Sequence, residues 1–325
     1  MKTHRISGII VSAFALFLSA PSPSQAEYPD RPVTLVLPLG AGGSHDLHAR
    51  GVTPDLSKVL GQPVVVKLLP GGSGMKGTGF VADGPADGYT IIFTHNYFDQ
   101  MVPQTQKVPF DTLKDFKTIA RINFSAPIFM THPGTPFKTL KEFVDYAKKN
   151  PGKVNIGHSG VWSVLYVPAL QLAQAAGLKM NFVPHKGGGP SLRALLAGQD
   201  DFGGLFATQA RPHVKAGKLI PLAIVGTQRL ANDPDFKDVP TTVELGYANV
   251  TATMDRIFMA PAKTPPDRLK KLRDAFEQLS KMDSFKDYIE KIGEHVEFMR
   301  GDEYDKLRPE KYQVFSGLLK SITSK

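Results

Sequence analysis

The chain of 325 residues contains no cysteine. Disulfides, thiol nucleophiles, thiolate zinc sites and cysteine-ligated iron–sulfur clusters are therefore excluded. Tryptophan is nearly absent too, with Trp162 the sole copy. Acids are fewer than bases, 30 against 39, which leaves a formal charge of +9. The surplus bases are scattered and carry no RNA- or DNA-binding signature, so no nucleic-acid partner is expected. Such a charge favours anionic small ligands by steering, or does no more than keep the protein in solution. Fixed-period repeats and low-complexity tracts are missing. What remains, 42% hydrophobic and 21% charged, is an ordinary globular composition. Disorder, collagen and coiled coil are excluded as the main body. The length suits about two domains.

One long apolar run exists, and it lies at the start. Lys2 and Arg5 precede the stretch Ile6 to Ala20, and Ser24-Gln25-Ala26 follows with small residues at the positions a signal peptidase reads. A run of about 15 residues falls short of the ~20 that span a bilayer. Residues 1–26 are expected to be a secretory signal that leaves a soluble periplasmic protein starting at Glu27. No cysteine follows the run, so a lipoprotein anchor is excluded, and no Arg-Arg pair precedes it. Removing the two leader cations lowers the net charge from +9 to +7.

Strand-like and helix-like segments alternate along the rest. Val33 to Leu37 reads as a buried strand, Gly40 to Ser44 as a flexible loop, and Asp46 to Leu60 as a helix closed by Gly61. Val64 to Val66 and Tyr89 to Phe93 read as further strands. Thr139 and Glu142 form a capping box ahead of an apolar face at Leu140, Phe143, Val144 and Ala147. A helix is expected within Tyr166–Ala176, with Pro168 tolerable only in its first turn. Strands are expected at 154–157, 180–183 and 219–225, a helix opened by Thr264-Pro265-Pro266-Asp267 and running to about Lys281, and helices at 285–292 and 304–322. This order indicates parallel α/β structure.

Most chemical motifs fail on inspection. Gly74-Met75-Lys76-Gly77 lacks the ending of a phosphate-binding Walker loop. Gly157-His158-Ser159-Gly160-Val161 has valine where the hydrolase elbow needs its second glycine. The loop at Gly40 lacks the dinucleotide glycine order. His45 and His48 share a helical face but have no third ligand at a recognisable spacing, so no metal and no cofactor are expected. Three glycine-rich loops survive: 40–44, 157–160 and 187–189. Each exposes backbone N–H groups between strand and helix, and together they point to an anion-binding cleft. Trp162 beside one of them either walls a pocket or packs in the core. Asp255 and Arg256 interrupt an apolar segment from Thr251 to Pro261. They either face the cleft or form an internal ion pair.

Several segments, in order, resemble the Bug family, the TctC-like substrate-binding proteins of tripartite tricarboxylate transporters. They are Tyr28-Pro29-Asp30-Arg31-Pro32-Val33, Pro38 to Asp46, Leu60 to Val66, Pro85 to Thr90, Val183 to Gly188, Lys215 to Leu219 and Asp238 to Thr241. The resemblance runs over the whole mature chain. It implies a two-domain periplasmic binding protein, a Venus-flytrap clamshell of α/β domains, each a mainly parallel sheet flanked by helices. Residues 27–127 with 250–325 would form domain I, and 128–249 domain II. An organic acid would lie in the cleft between them and be handed to a two-subunit inner-membrane transporter. Some relatives instead serve two-component sensors. The protein would be a monomer without catalytic residues; an exported hydrolase would require Ser159 to react with a phosphonate probe.

The same resemblance places Ala41, Gly42, Gly43 and Ser44 on a first ligand loop, with Asp46 ordering that loop. It places Thr94, His95 and Asn96 on a second, Ser159, Gly160 and Ser163 on a third, and Lys186, Gly187 and Gly188 on a fourth. Trp162 stands where the family has glycine, Tyr166 where it often has histidine, and His185 where it has tyrosine. Leu205 replaces the family's acid, and Met254-Asp255-Arg256-Ile257 replaces its Ser-Trp-Phe-Gly run. Losing an acid and gaining an arginine favours an anionic ligand, with Arg256 holding a second carboxylate or Trp162 stacking on an aromatic acid.

Overall fold

The computed structural model describes residues 27–324. The expected secretory signal, residues 1–26, lies outside the described residues. The chain begins with β1 (Val33–Leu37), α1 (Ser44–Leu60), β2 (Val64–Leu68), α2 (Met75–Ala82), β3 (Thr90–His95), α3 (Thr112–Asp115) and β4 (Phe116–Ser125). It continues with β5 (Ile128–Thr131), α4 (Leu140–Lys149), β6 (Asn155–His158), α5 (Val167–Ala176), β7 (Asn181–Pro184), α6 (Gly188–Leu196), β8 (Phe202–Leu205), α7 (Ala207–Lys215) and β9 (Ile220–Ile224). It ends with β10 (Met254–Pro261), α8 (Pro266–Lys281), α9 (Asp283–Lys291), β11 (Met299–Arg300) and α10 (Gly301–Thr323).

Two sheets result, and each centres an α/β domain. The first has the order β11-β4-β10-β3-β1-β2 and the second β7-β6-β8-β5-β9. Helical crossovers make β1 parallel to β2 and β3, and β6 parallel to β7 and β8. The sheets are nonetheless mixed, where mainly parallel sheets were expected. β10 runs antiparallel to β3 and β4, and β5 antiparallel to β8 and β9. The reason is connectivity. β4 and β10 join strands of the other sheet, so no crossover helix in their own sheet sets their direction.

Local chemistry accounts for the element ends. Gly61 closes α1 at φ 69°, where a side chain would be strained. Thr139 and Glu142 cap α4 reciprocally, and Leu140, Phe143, Val144 and Ala147 are all buried. Pro168 sits in the first turn of α5, the position its missing N–H tolerates. β10 is buried at every residue, as a strand between two neighbours in a covered sheet must be. The last helix ties the domains together. Tyr304 of α10 packs beneath the first sheet with Val36 and Ile92. Phe315 and Ile322, further along, join Phe129, Phe143 and Leu172 in the core under the second sheet.

Candidate functional site

The glycine-rich loops leave the carboxyl ends of β1, β6 and β7, where open α/β sheets bind ligands. Across the gap between the sheets they touch. Gly40 N–H donates to the Lys186 carbonyl at 2.9 Å. Ser44 N–H donates to Gln209 Oε1 at 2.7 Å. The approach is close enough to demand glycine. A Cβ on Gly189 would lie 2.0 Å from the Ala41 carbonyl oxygen, and one on Gly40 2.7 Å from that of Lys186.

Behind this contact lies a small cavity with about 20 Å³ of room, enough for little more than a water. Leu39, Gly43, Ser44, His45 and His95 wall it from the first domain, and Ser159, Val164, Leu165, Gly188, Phe206 and Gln209 from the second, with Met254 between. Anything larger enters only if the walls part. Among the described residues, no charged side chain lines the cavity. α1 and α6 both begin here on glycines without a side-chain cap. Their first-turn N–H groups and dipoles therefore supply the positive potential. Burial, reinforced by the Arg256 cation, pushes His95 down to about 3. Burial also holds His45 well below its ordinary value, helped by His95 and Arg256. Both rings are neutral near pH 7 and serve as hydrogen-bonding groups rather than cations.

Of the residues singled out from sequence, Gly43, Ser44, His95, Ser159 and Gly188 line the cavity. Ala41 and Gly42 are exposed at its rim. The Asp46 carboxylate accepts the Gly42 N–H at 2.9 Å. The Thr94 carbonyl meets the His45 ring at 3.2 Å. Asn96 is tied to β10, donating to the Thr253 carbonyl and accepting from Asp255 N–H. Gly160 abuts Ser73, and Ser163 is fully buried beneath the loop. Lys186 is exposed, with Gly187 turning behind it at φ 114°. Trp162 adopts φ 61° and is half-buried against core residues of both domains, edge-on to Tyr166. Leu39, His45, Val164, Leu165, Phe206, Gln209 and Met254 were missed. His45 carried a signal, since it follows Ser44 at a helix start. Phe206 and Gln209 carried none, because the turn from β8 to α7 holds no glycine.

Asp255 and Arg256 do not pair with each other. Neighbours on a strand point to opposite faces, and each finds its own partner. Asp255 accepts from the Tyr304 hydroxyl at 2.8 Å and from Lys311 at 2.9 Å. Arg256, 0% exposed, grips Glu294 with both ends of its fork, at 2.5 and 2.8 Å. It also donates to Ser44 Oγ at 2.5 Å and Ser125 Oγ at 2.9 Å. Its guanidinium faces Phe206 at 5.2 Å and forms no part of the cavity wall. Of the two readings open from sequence, this geometry matches the internal ion pair. Burial alone would raise the Glu294 pKa, but Arg256 and His48 outweigh it and hold the carboxyl at about 2.

Comparison with known proteins was informative over most of the chain. The family model described as the tripartite tricarboxylate transporter family receptor, TctC, matches residues 48–323. A Cupriavidus necator protein described as lying in the gbd 5' region is 31% identical over 319 residues, 97% of this chain and 95% of its own. A solved structure of a periplasmic transporter is 30% identical with a TM-score of 0.83, covering 91% of this chain and 98% of that one. The structure of MatC from Rhodopseudomonas palustris with bound malate is 26% identical with a TM-score of 0.81, covering 90% and 99%.

Proposed function

The chain belongs to the tripartite tricarboxylate transporter receptor family, whose members are non-enzymatic solute-binding proteins, and from that premise we propose that it captures an organic carboxylate in the interdomain cleft. Residues 27–127 with 250–325 form one jaw in this reading, and 128–249 the other. The protein is exported to the periplasm, binds its acid as a monomer, and delivers it to a two-subunit inner-membrane transporter. The ligand class is a di- or tricarboxylate, or an aromatic acid.

One observation carries the reading. Two helix N-termini without side-chain caps, from opposite domains, meet at one cavity that also presents the Ser44 and Ser159 hydroxyls and no acidic side chain. A carboxylate suits that environment because orphan N–H groups and serine hydroxyls all donate to it. An ammonium group finds no acid partner there. The apolar walls at Leu39, Leu165, Phe206 and Met254 suit the carbon body of an acid. Malate bound by the Rhodopseudomonas relative supports the dicarboxylate class.

The test is calorimetric titration of residues 27–325 with malate, adipate, citrate, benzoate, glutamate and glucose. Binding of one or more of the non-amino acids, with a Kd near micromolar or about −8 kcal/mol, is the expected result. Binding of glucose alone would refute the carboxylate assignment, and binding of glutamate alone would refute the reading that the site offers an ammonium group no partner.

A further inference from the structure

A buried charged cluster lies not in the cavity but beside it, and it crosses from one domain to the other. After α9 the chain turns at Gly293, φ 82°, and points Glu294 inward. One carboxylate oxygen, Oε2, accepts from first-domain groups: Arg256 at 2.5 Å and Asn123 Nδ2 at 2.7 Å. The other, Oε1, accepts from Arg256 at 2.8 Å and from the hydroxyl of Thr208. Thr208 lies on α7 of the second domain. The next residue on that helix, Gln209, accepts the Ser44 N–H, and the Ser44 hydroxyl is itself held by Arg256. Two adjacent residues of α7 thus close on two first-domain groups that the same guanidinium holds in place.

The packing at this corner is as tight as the bonding. One turn along α7, Arg211 comes so near that a Cβ on Gly293 would lie 1.8 Å from its Nη2. Arg211 is anchored within its own domain by Asp233 and Asp235. Thr208, Glu294, Ser44 and Arg256 are each no more than 7% exposed. A hydroxyl bonded to a buried carboxylate is among the stronger protein hydrogen bonds, and its loss strands the acceptor.

We propose that Glu294, clamped by Arg256, is a closure latch: by accepting the Thr208 hydroxyl it joins the two jaws, and as a positioning residue it sets affinity without touching the ligand. The consequence for affinity rests on the cleft being the binding site. The latch itself does not, so its test is made without ligand. Such a latch requires that the closed arrangement be populated without ligand and that the Glu294–Thr208 bond hold part of that population.

The absence of native cysteine allows a clean distance measurement. β2 and β7 are edge strands remote from the strands that join the sheets, so their separation changes most on opening. Spin labels go on cysteines replacing exposed Lys67 on β2 and exposed Lys179 just before β7. Pulsed electron resonance then compares the unliganded parent with Thr208→Val and Thr208→Ser. The valine keeps shape and deletes the donor; the serine restores it. A closed population in the parent, a fall of roughly tenfold or more in the closed-to-open ratio for valine, and recovery with serine are expected. Thr208→Ala gives the same reading if the valine variant fails to fold. Identical distributions for parent and valine variants, equal opening by valine and serine, or a parent that is wholly open would each overturn the proposal. If the latch stands while no carboxylate binds, the ligand assignment alone is lost.

Discussion

At the scale of single residues, the molecule places its strongest charges where they hold structure. Removing one member of a buried pair leaves the other uncompensated, at a cost of about 3–5 kcal/mol. Arg256→Ala should therefore lower the urea stability of the ligand-free protein by that amount, and adding Glu294→Ala should recover part of it. A loss under about 1 kcal/mol, together with a tenfold or greater weakening of malate binding, would instead make Arg256 a ligand contact. The sequence could flag Arg256 because a charge inside an apolar strand is anomalous. It could not reveal the partner, 38 residues downstream on a turn with no motif of its own. The buried histidines have a second consequence. The fold refuses protons that the unfolded chain accepts near pH 6.5, so their contribution is complete above that pH. It is lost as pH falls toward about 3 for His95. Glu294 adds a contribution that is complete above about 4.5 and lost toward about 2. The melting temperature should decline steadily from pH 6.5 downward, and His95→Asn should flatten the upper limb. A level profile from pH 8 to 5 would contradict this.

At the scale of elements, the periodic segments were legible and the contacts between them were not. α4 could be read from its capping box and apolar face because both are local. β10 could be read as an apolar run interrupted by a charged pair, but not where it sits, because strands of distant sequence hold it in place. The three glycine loops announced a cleft, yet only contact across the cleft shows which glycines are indispensable. Gly189 has an ordinary helical backbone, so alanine there costs its own domain little. In the closed state its Cβ would collide with the Ala41 carbonyl at 2.0 Å. Gly189→Ala should therefore keep the parent's ligand-free melting temperature within a few degrees and weaken malate binding at least tenfold. Trp162 supplies the optical readout, since it packs against core residues of both domains. Its emission should shift when malate closes the parent and stay still in the alanine variant. Equal malate affinity in the two proteins would show that closure does not require the Gly189–Ala41 approach.

At the scale of the whole molecule, two sheets with largely distinct cores ought to melt as two bodies unless something couples them. The chain crosses between the sheets twice, at residues 126–127 and just before β10, and two single strands contribute little coupling by themselves. α10 is the stronger tie. Its 23 residues span roughly 34 Å at 1.5 Å per residue. Near its start, Arg308 grips Asp99 of the first domain at 2.6 and 2.9 Å. Past its middle, Phe315 meets Tyr97, also of the first domain, edge-on at 4.8 Å and joins Phe129 and Phe143 in the core under the second sheet. The Ile322 carbonyl accepts from Gln174 at 2.8 Å. A rigid rod fixed at both ends transmits unfolding from one core to the other, so the parent should melt in a single calorimetric transition. Truncating Phe315 to alanine costs about 3 kcal/mol where the helix joins the second core and leaves the Arg308–Asp99 pair in place. Scanning calorimetry should then resolve two transitions, the lower one belonging to the second domain. A single transition, merely displaced downward, would show that the jaws are coupled through their facing loops and the Glu294 corner rather than through the helix.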